Sequence, residues 1–155
     1  SSFLQRAQER TYTDLAPVLN TTLDKWLPEV TGGRYRRARV NPETLEVLVE
    51  SEGGSLRRAE LLSVGTAEQV YLLLRVALAE HLATNSTVSP LLLDDVTVQS
   101  DPTRTTAILR MCKALADDGR QVVVFAQEPS VAVWAEANLD GSTSKLVKLA
   151  PSPAA

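Results

Sequence analysis

The sequence predicts an α/β fold in which a mostly parallel sheet is flanked by helices and preceded by a helix and a short antiparallel meander. Residues 1–30 carry a helical stripe of apolar side chains, residues 34–62 contain short alternating segments, and the remainder alternates between helical and strand-like segments. Such alternation is typical of a parallel sheet covered by helices. We expect a single domain over residues 1–149, followed by a tail at residues 150–155. The domain has three sections, at residues 1–30, 31–62 and 63–149.

Composition excludes several classes of protein. The 155 residues are 44% hydrophobic and carry a formal net charge of −3, which excludes a disordered chain and a basic nucleic-acid-binding surface over the whole domain. One cysteine excludes a disulfide framework and suits the reducing cytoplasm. The most apolar stretch, residues 70–79, contains Arg75 and has about half the length of a membrane-spanning helix, so we expect no membrane crossing.

The N-terminal section predicts two helices rather than one. Pro17 interrupts the apolar stripe, and proline removes a backbone donor and disfavours a helical residue before it. We therefore expect a short helix, a break or kink at Pro17, and a second helix over about residues 14–27 that ends at Thr31-Gly32-Gly33.

Residues 34–62 predict an antiparallel meander. Segments 34–40 and 45–50 form a hairpin with one buried face, and residues 56–62 add a third strand. Four arginines, at positions 34, 36, 37 and 39, surround Tyr35. Period-two alternation places Arg37 and Arg39 on the face of Tyr35, with Arg34 and Arg36 opposite. Solvated arginines are the expected state, and contact with a nucleic-acid phosphate backbone is the alternative.

The C-terminal section predicts three helices and three strands. The helices are expected at residues 66–83, 102–117 and 130–138, and the strands at 90–93, 121–125 and 145–149. Asp101 is the expected N-cap of the second helix, with Pro102 at its first position and Gly119 after its end. The helix from residue 66 is apolar nearly all round, so it should be buried, with His81 as a partly exposed residue.

Two carboxylates end a predicted buried strand. Residues 90–95 read Pro-Leu-Leu-Leu-Asp-Asp. The carboxyl ends of parallel strands face the ligand crevice, where Asp94 could hold Mg²⁺ and Asp95 could orient or deprotonate water for attack on a phosphoryl group. The alternative is that the two acids merely begin a polar loop.

A second group of candidate residues directly precedes the buried helix. Ser63, Gly65 and Thr66 would present free backbone N–H groups and the positive end of the helix dipole, which anions favour. The alternative is a capping box in which Thr66 is the N-cap and Gln69 is its partner.

Two further loops complete the candidate site. Ser100-Asp101 follows the acid pair, and Gln127 and Glu128 follow the strand at 121–125. Helix capping accounts for part of the role of Asp101, and a plain loop is the alternative for Gln127 and Glu128.

The order and spacing of these parts resemble the C-terminal half of ABC-type ATPase heads. The resemblance is to the structural-maintenance-of-chromosomes (SMC) proteins and the coiled-coil ATPases of double-strand-break repair, above all to bacterial relatives that read Leu-Ser-x-Gly-Thr-x-Glu-Gln-x-Tyr-Leu. Residues 62–72 here read Leu-Ser-Val-Gly-Thr-Ala-Glu-Gln-Val-Tyr-Leu. The similarity takes in residues 31–35 and covers roughly residues 14–139. It implies that the N-terminal helix is the returning end of a coiled-coil arm.

The resemblance implies a role for each residue of the helix start. Ser63, Gly65 and Thr66 would form the signature motif, which touches the γ-phosphate of ATP held by a partner head. Asp101 would be the D-loop aspartate. The implied partners are a second head, in a head-to-head homodimer, and DNA as a further possibility.

The resemblance also assigns the acid site. Asp94 would be the Walker B aspartate, which reaches Mg²⁺ directly or through water. Asp95 would stand where the family usually has the catalytic glutamate, which is one methylene longer. Gln127 or Glu128 would occupy the switch position, where most relatives carry histidine.

The sequence lacks a phosphate loop. No Gly-x-x-x-x-Gly-Lys-Ser/Thr motif occurs, and none of the four lysines, at positions 25, 113, 145 and 148, follows a glycine-rich segment. The chain also begins with Ser1-Ser2 and has no leader pattern. We therefore expect a piece of a longer protein, whose N-terminal lobe supplies the phosphate loop.

Two other functions remain open. A degenerate head, with no switch histidine and no catalytic glutamate, could sense nucleotide or mediate dimerisation without turnover. A phosphoacceptor domain also places paired acids at a strand end, but it would require a further aspartate and a lysine at other strand ends. Residues 122–127 offer neither.

Overall fold

The computed structural model describes residues 2–41, 43–44, 46–83 and 90–149, and the expected tail at 150–155 lies outside them. The described residues form a mixed α/β fold with an antiparallel and a parallel sheet, which confirms the predicted fold class. A 3₁₀ turn at Ala59–Leu61 follows the third strand. The helices and strands are α1 (Ser2–Val30), β1 (Tyr35–Val40), β2 (Val47–Ser51), β3 (Leu56–Arg58), α2 (Val64–Ala83), β4 (Leu91–Asp94), α3 (Pro102–Asp117), β5 (Val122–Phe125) and α4 (Pro129–Asn138).

The first helix is continuous through Pro17, so the predicted division into two helices is wrong. Pro17 and Pro28 both lie inside α1. An interior proline costs about 3 kcal/mol, and packing of the apolar face offsets that cost. Leu23, Leu27 and Val30 are completely buried where α1 meets α2 and β1. Tertiary burial therefore overrides the local preference of the proline.

The antiparallel sheet has the order β1–β2–β3 and packs one face against α1. A bulge between Tyr35 and Arg37 shifts the alternation of β1. Tyr35 therefore lies buried with Ala38, while Arg37 and Arg39 are exposed, and the predicted common face of Tyr35 with these arginines is wrong. The third strand ends at Arg58, because the 3₁₀ turn follows it.

The parallel sheet consists of β4 and β5, and α3 contacts β5. The interior of this section includes Leu93 of β4 together with Ile108 and Met111 of α3. The predicted strand at 145–149 is not formed, since those residues have no regular structure. Val147 and Leu149 are exposed, so this segment gains no apolar burial that would fix it as a strand.

The second helix is buried along most of its length but not all round. Val70, Leu73 and Val76 are completely buried, whereas Leu78 and Leu82 are exposed, so the predicted full burial is wrong on one face. His81 is half-buried, as expected. Within the described part of the chain, no helix combines the length and apolarity needed to cross a bilayer.

Candidate functional site

Ser63 begins the second helix. Its backbone carbonyl accepts from the N–H of Ala67 at 2.9 Å, and its Oγ lies 2.9 Å from Thr66 Oγ1. The predicted capping box with Thr66 as N-cap is therefore wrong, because α2 begins earlier, at Val64. Thr66 is completely buried, whereas Ser63 is exposed. Of these two hydroxyls, that of Ser63 is accessible to a ligand, and Thr66 orients it.

Gly65 brings the start of α2 directly onto the loop that follows β4. A Cβ atom at this position would lie 2.6 Å from the carbonyl oxygen of Gln99. That separation is too short for any residue but glycine without a shift of the backbone. Loop 95–101 and the first turn of α2 are thus in contact, and glycine is required for that contact.

We expect Gly65→Ala to lower the free energy of unfolding by about 1–3 kcal/mol, because the added methyl group overpacks a backbone contact. The measurement is urea denaturation followed by circular dichroism. Gly53→Ala is the matched control, since nothing lies within 4 Å of a Cβ there. Equal denaturation midpoints for the two variants would contradict the close packing of Gly65.

Asp95 begins the loop 95–101 in an unusual backbone conformation. Its φ is +50°, and its N–H donates to the carbonyl of Phe125 at 3.0 Å. Aspartate and asparagine tolerate this left-handed region better than other residues that have a side chain. The bond to Phe125 extends the pairing of β4 with β5 by one residue and fixes Asp95 at the carboxyl edge of the sheet.

The structure brings Gln127 to this same edge, as the sequence predicted. Gln127 Nε2 lies 3.4 Å from Asp95 Oδ2. Asp94 is exposed and Asp95 half-buried, and both line an open groove of ≈ 340 Å³ beside Glu68 and Arg75 of α2. Two carboxylates therefore line a groove large enough for a small polar ligand, and the Gln127 amide contacts one of them.

Glu128 contacts the loop rather than the groove. Its Oε1 accepts from Thr97 Oγ1 at 2.8 Å, while its Oε2 is buried and has no hydrogen-bond partner in the described part of the chain. Thr97 is 1% exposed. The contact joins the loop after β4 to the loop after β5. Sequence reasoning missed Thr97, and nothing in its local pattern distinguishes it.

Asp101 has the capping role that the sequence predicted. Its Oδ1 accepts from the backbone N–H of Arg104 at 3.0 Å, and its Oδ2 lies 3.2 Å from Arg104 Nε. The carboxylate remains exposed. Asp101 therefore ends the loop 95–101 at a fixed point, the N-terminus of α3.

The acid pair fits magnesium only as part of a shared site. No group of three or more histidine, cysteine, aspartate or glutamate side chains within the described ranges is arranged to hold a metal ion. Magnesium commonly takes one or two carboxylates and completes its octahedron with water and substrate phosphates. Asp94 and Asp95 supply hard oxygen ligands of that kind at a solvent-accessible edge, so the donor set fits an ion that arrives with phosphates.

Cys112 is not a candidate nucleophile. It lies buried in α3, and burial raises the pKa of its thiol to about 12. The thiol therefore stays protonated at neutral pH, and the reactive form of cysteine is the thiolate. Covalent catalysis by this residue is excluded, which leaves the carboxylates and amide at the sheet edge.

Comparison with known proteins gives matches in sequence and in fold. No family model matches the chain. It is 32% identical over 109 residues to YhaN of Bacillus subtilis (strain 168), an uncharacterized protein; the match covers 70% of this chain but only 11% of that protein. The chain thus spans about a tenth of the length of this relative.

Two solved structures share the fold. One comes from work on ATP-driven dimerization and DNA-stimulated activation of SMC ATPases. It superposes with a TM-score of 0.64 at 17% sequence identity, and the match covers 85% of this chain and 78% of that one. The other is the Smc head domain of Pyrococcus furiosus with an extended coiled coil, bound to the C-terminal domain of ScpA. It superposes with a TM-score of 0.59 at 16% sequence identity, and the match covers 76% of this chain and 30% of that one. The chain therefore has the fold of the C-terminal lobe of an SMC-type ATPase head.

Proposed function

From this SMC-type head fold, we propose that the chain is the C-terminal half of an ATP-hydrolysing head of a coiled-coil DNA-repair or chromosome-maintenance ATPase. One observation carries the proposal: the signature-like turn at Ser63 and the acid pair lie on either side of a single short loop, in contact through Gly65 and Gln99. A head that binds nucleotide between two copies needs both parts on each lobe, one for its own ATP and one for the ATP of the partner head.

Each part has a defined role in this proposal. The hydroxyl of Ser63 and the free N–H groups of the first turn of α2 bind the γ-phosphate presented by the partner head. Gly65 and the buried Thr66 hold that turn in place. Asp101 orders the loop that crosses the interface between the two heads.

The acid edge would act on the nucleotide of its own head. Asp94 would hold Mg²⁺, which would neutralise phosphate charge when bound. Asp95 accepts a proton from the attacking water and orients it, and Gln127 donates to Asp95 and keeps its carboxylate in position. Glu128 supports this edge through Thr97.

The open face of the parallel sheet supports the need for a second lobe. Leu92 of β4 is 63% exposed and Phe125 of β5 is 49% exposed. Parallel sheets occur almost only with both faces covered, and two strands make a poor sheet alone. A lobe that carries the phosphate loop would cover these side chains and place that loop beside Asp94.

We expect the 155-residue chain by itself to have negligible affinity for Mg-ATP, because a phosphate loop supplies most of the contacts to the phosphates. Isothermal titration calorimetry at millimolar nucleotide measures this directly. Addition of a phosphate-loop lobe should restore both binding and Mg²⁺-dependent phosphate release. Saturable binding by the chain alone would overturn the proposal that it is half of a nucleotide site.

A non-catalytic head is the second candidate function. The contact of Gln127 with Asp95 supports Gln127, rather than Glu128, as the switch residue, and glutamine is a poor proton carrier compared with histidine. A head of this kind would bind nucleotide and dimerise without turnover. Phosphate release by the reconstituted head distinguishes the candidates, because only the catalytic head would release phosphate.

A further inference from the structure

Gln69 lies on α2 one helical turn after Gly65, so that both residues face the loop 95–101. Its side chain is only 2% exposed, and its Nε2 donates to Ser100 Oγ at 3.4 Å. Gly65 meets the carbonyl of the preceding residue, Gln99. The start of α2 therefore contacts two consecutive residues directly before Asp101.

The hydrogen bonding of Gln69 is incomplete. Its Oε1 is buried and has no partner among the residues that the structure describes. An unsatisfied buried carbonyl destabilises a fold, and an apolar side chain of similar length would avoid that cost. Stability therefore does not explain an amide at this position, whereas a bond to the loop does.

The loop has a second fixed point on its other side. Thr97 is bonded to Glu128, and within the loop the N–H of Ser100 donates to the carbonyl of Thr97 at 2.9 Å. The loop is thus bonded on two sides: Thr97 contacts Glu128, directly before α4, and Ser100 contacts Gln69 of α2. Removal of the Gln69 bond would leave the loop held on one side only.

We propose that Gln69 is a positioning residue: its amide holds Ser100, and thereby fixes the loop that carries Asp95 and Asp101 against the phosphate-facing turn at Ser63. Any effect of Gln69 on catalysis rests on the proposed function, but its hydrogen bond to Ser100 can be tested without nucleotide. By this means each head keeps a constant distance between the groups that act on its own nucleotide and the turn that meets the partner's nucleotide.

The first test measures hydrogen exchange in the 155-residue chain. Gln69→Met keeps the length of the side chain and removes the donor. We expect the amides of Val98 and Ser100, which are bonded within the loop, to exchange about five- to tenfold faster, as loss of one hydrogen bond predicts. Amides of α3 should not change, and the urea midpoint should stay the same or rise, because methionine also removes the unsatisfied Oε1. Gln121→Met, at an exposed position directly before β5, is the matched control.

A double-mutant cycle separates positioning from a general structural role. Ser100→Ala should reproduce the effect of Gln69→Met, and the double variant should show no larger effect than either single change. Unchanged exchange at Val98 and Ser100, or additive effects, would overturn the proposal. Faster exchange throughout α3 would show that Gln69 stabilises the fold instead of positioning the loop.

The second test uses a head that also carries a phosphate-loop lobe. There Gln69→Met should lower kcat about five- to tenfold with little change in KM, because nucleotide contacts remain while the loop is less well placed. Parent values of kcat and KM in the variant would overturn the catalytic role. If the parent head hydrolyses no ATP but loop exchange still responds, the proposed function fails and the positioning role stands.

Discussion

Replacement of Asp95 by asparagine is expected to lower ATP hydrolysis by about 10²–10⁴-fold in a head that carries a phosphate-loop lobe, since general base catalysis contributes that much. Association of two heads in the presence of ATP should remain or become stronger, because the binding contacts are kept. Asparagine tolerates the φ of +50° found at this position. The change therefore removes the charge and leaves the backbone in place.

Phosphate release and ATP-dependent association measured on the same samples check this prediction. Asp118→Asn is the control, since Asp118 is an exposed acid at the end of α3, away from the sheet edge. It should behave like the parent in both assays. Hydrolysis by Asp95→Asn at the parent rate would show that Asp95 is not the base, and the non-catalytic head would then be favoured.

Replacement of Ser63 by arginine is expected to prevent ATP-driven dimerisation without loss of nucleotide binding by the same head. Ser63 is exposed at the start of α2, and its lobe has no phosphate loop that could bring an anion to it. In the proposed function the anion comes from the partner head, and a bulky side chain would exclude it.

Light scattering with and without ATP, beside a nucleotide titration, measures the two properties separately. Ser63→Ala is the matched control: it removes the hydroxyl that contacts Thr66 Oγ1 but adds no bulk. It should weaken dimerisation less than arginine does. Survival of dimerisation together with loss of binding in Ser63→Arg would mean that Ser63 acts on the nucleotide of its own head.

The sequence predicts those elements whose ends are encoded locally. The bounds of α3 follow from Asp101, Pro102 and Gly119, and the structure has that helix at Pro102–Asp117 as predicted. The continuity of α1 through Pro17 does not follow from the sequence, because burial of Leu23, Leu27 and Val30 against α2 and β1 offsets the cost of the proline. The expected strand at 145–149 is wrong for a related reason: Val147 and Leu149 are exposed, so no burial of these side chains fixes the segment as a strand.

For the site, the sequence predicts which residues reach the sheet edge but not the contacts that hold them. Asp95 and Gln127 meet as expected, because neighbouring parallel strands end at one edge. The bonds of Gln69 with Ser100 and of Thr97 with Glu128 each join residues 31 positions apart. Such pairs become visible only when the chain is folded, since no local pattern links one partner to the other.

The left-handed backbone at Asp95 also bears on how this site could evolve. Mutation to glutamate, the residue expected there from related heads, would lengthen the acid but would place a residue less suited to a φ of +50° at that point. Glycine would relax the turn and remove the carboxylate. The shorter acid is therefore the carboxylate that suits the present backbone of this loop, and a longer one would require the loop to change first.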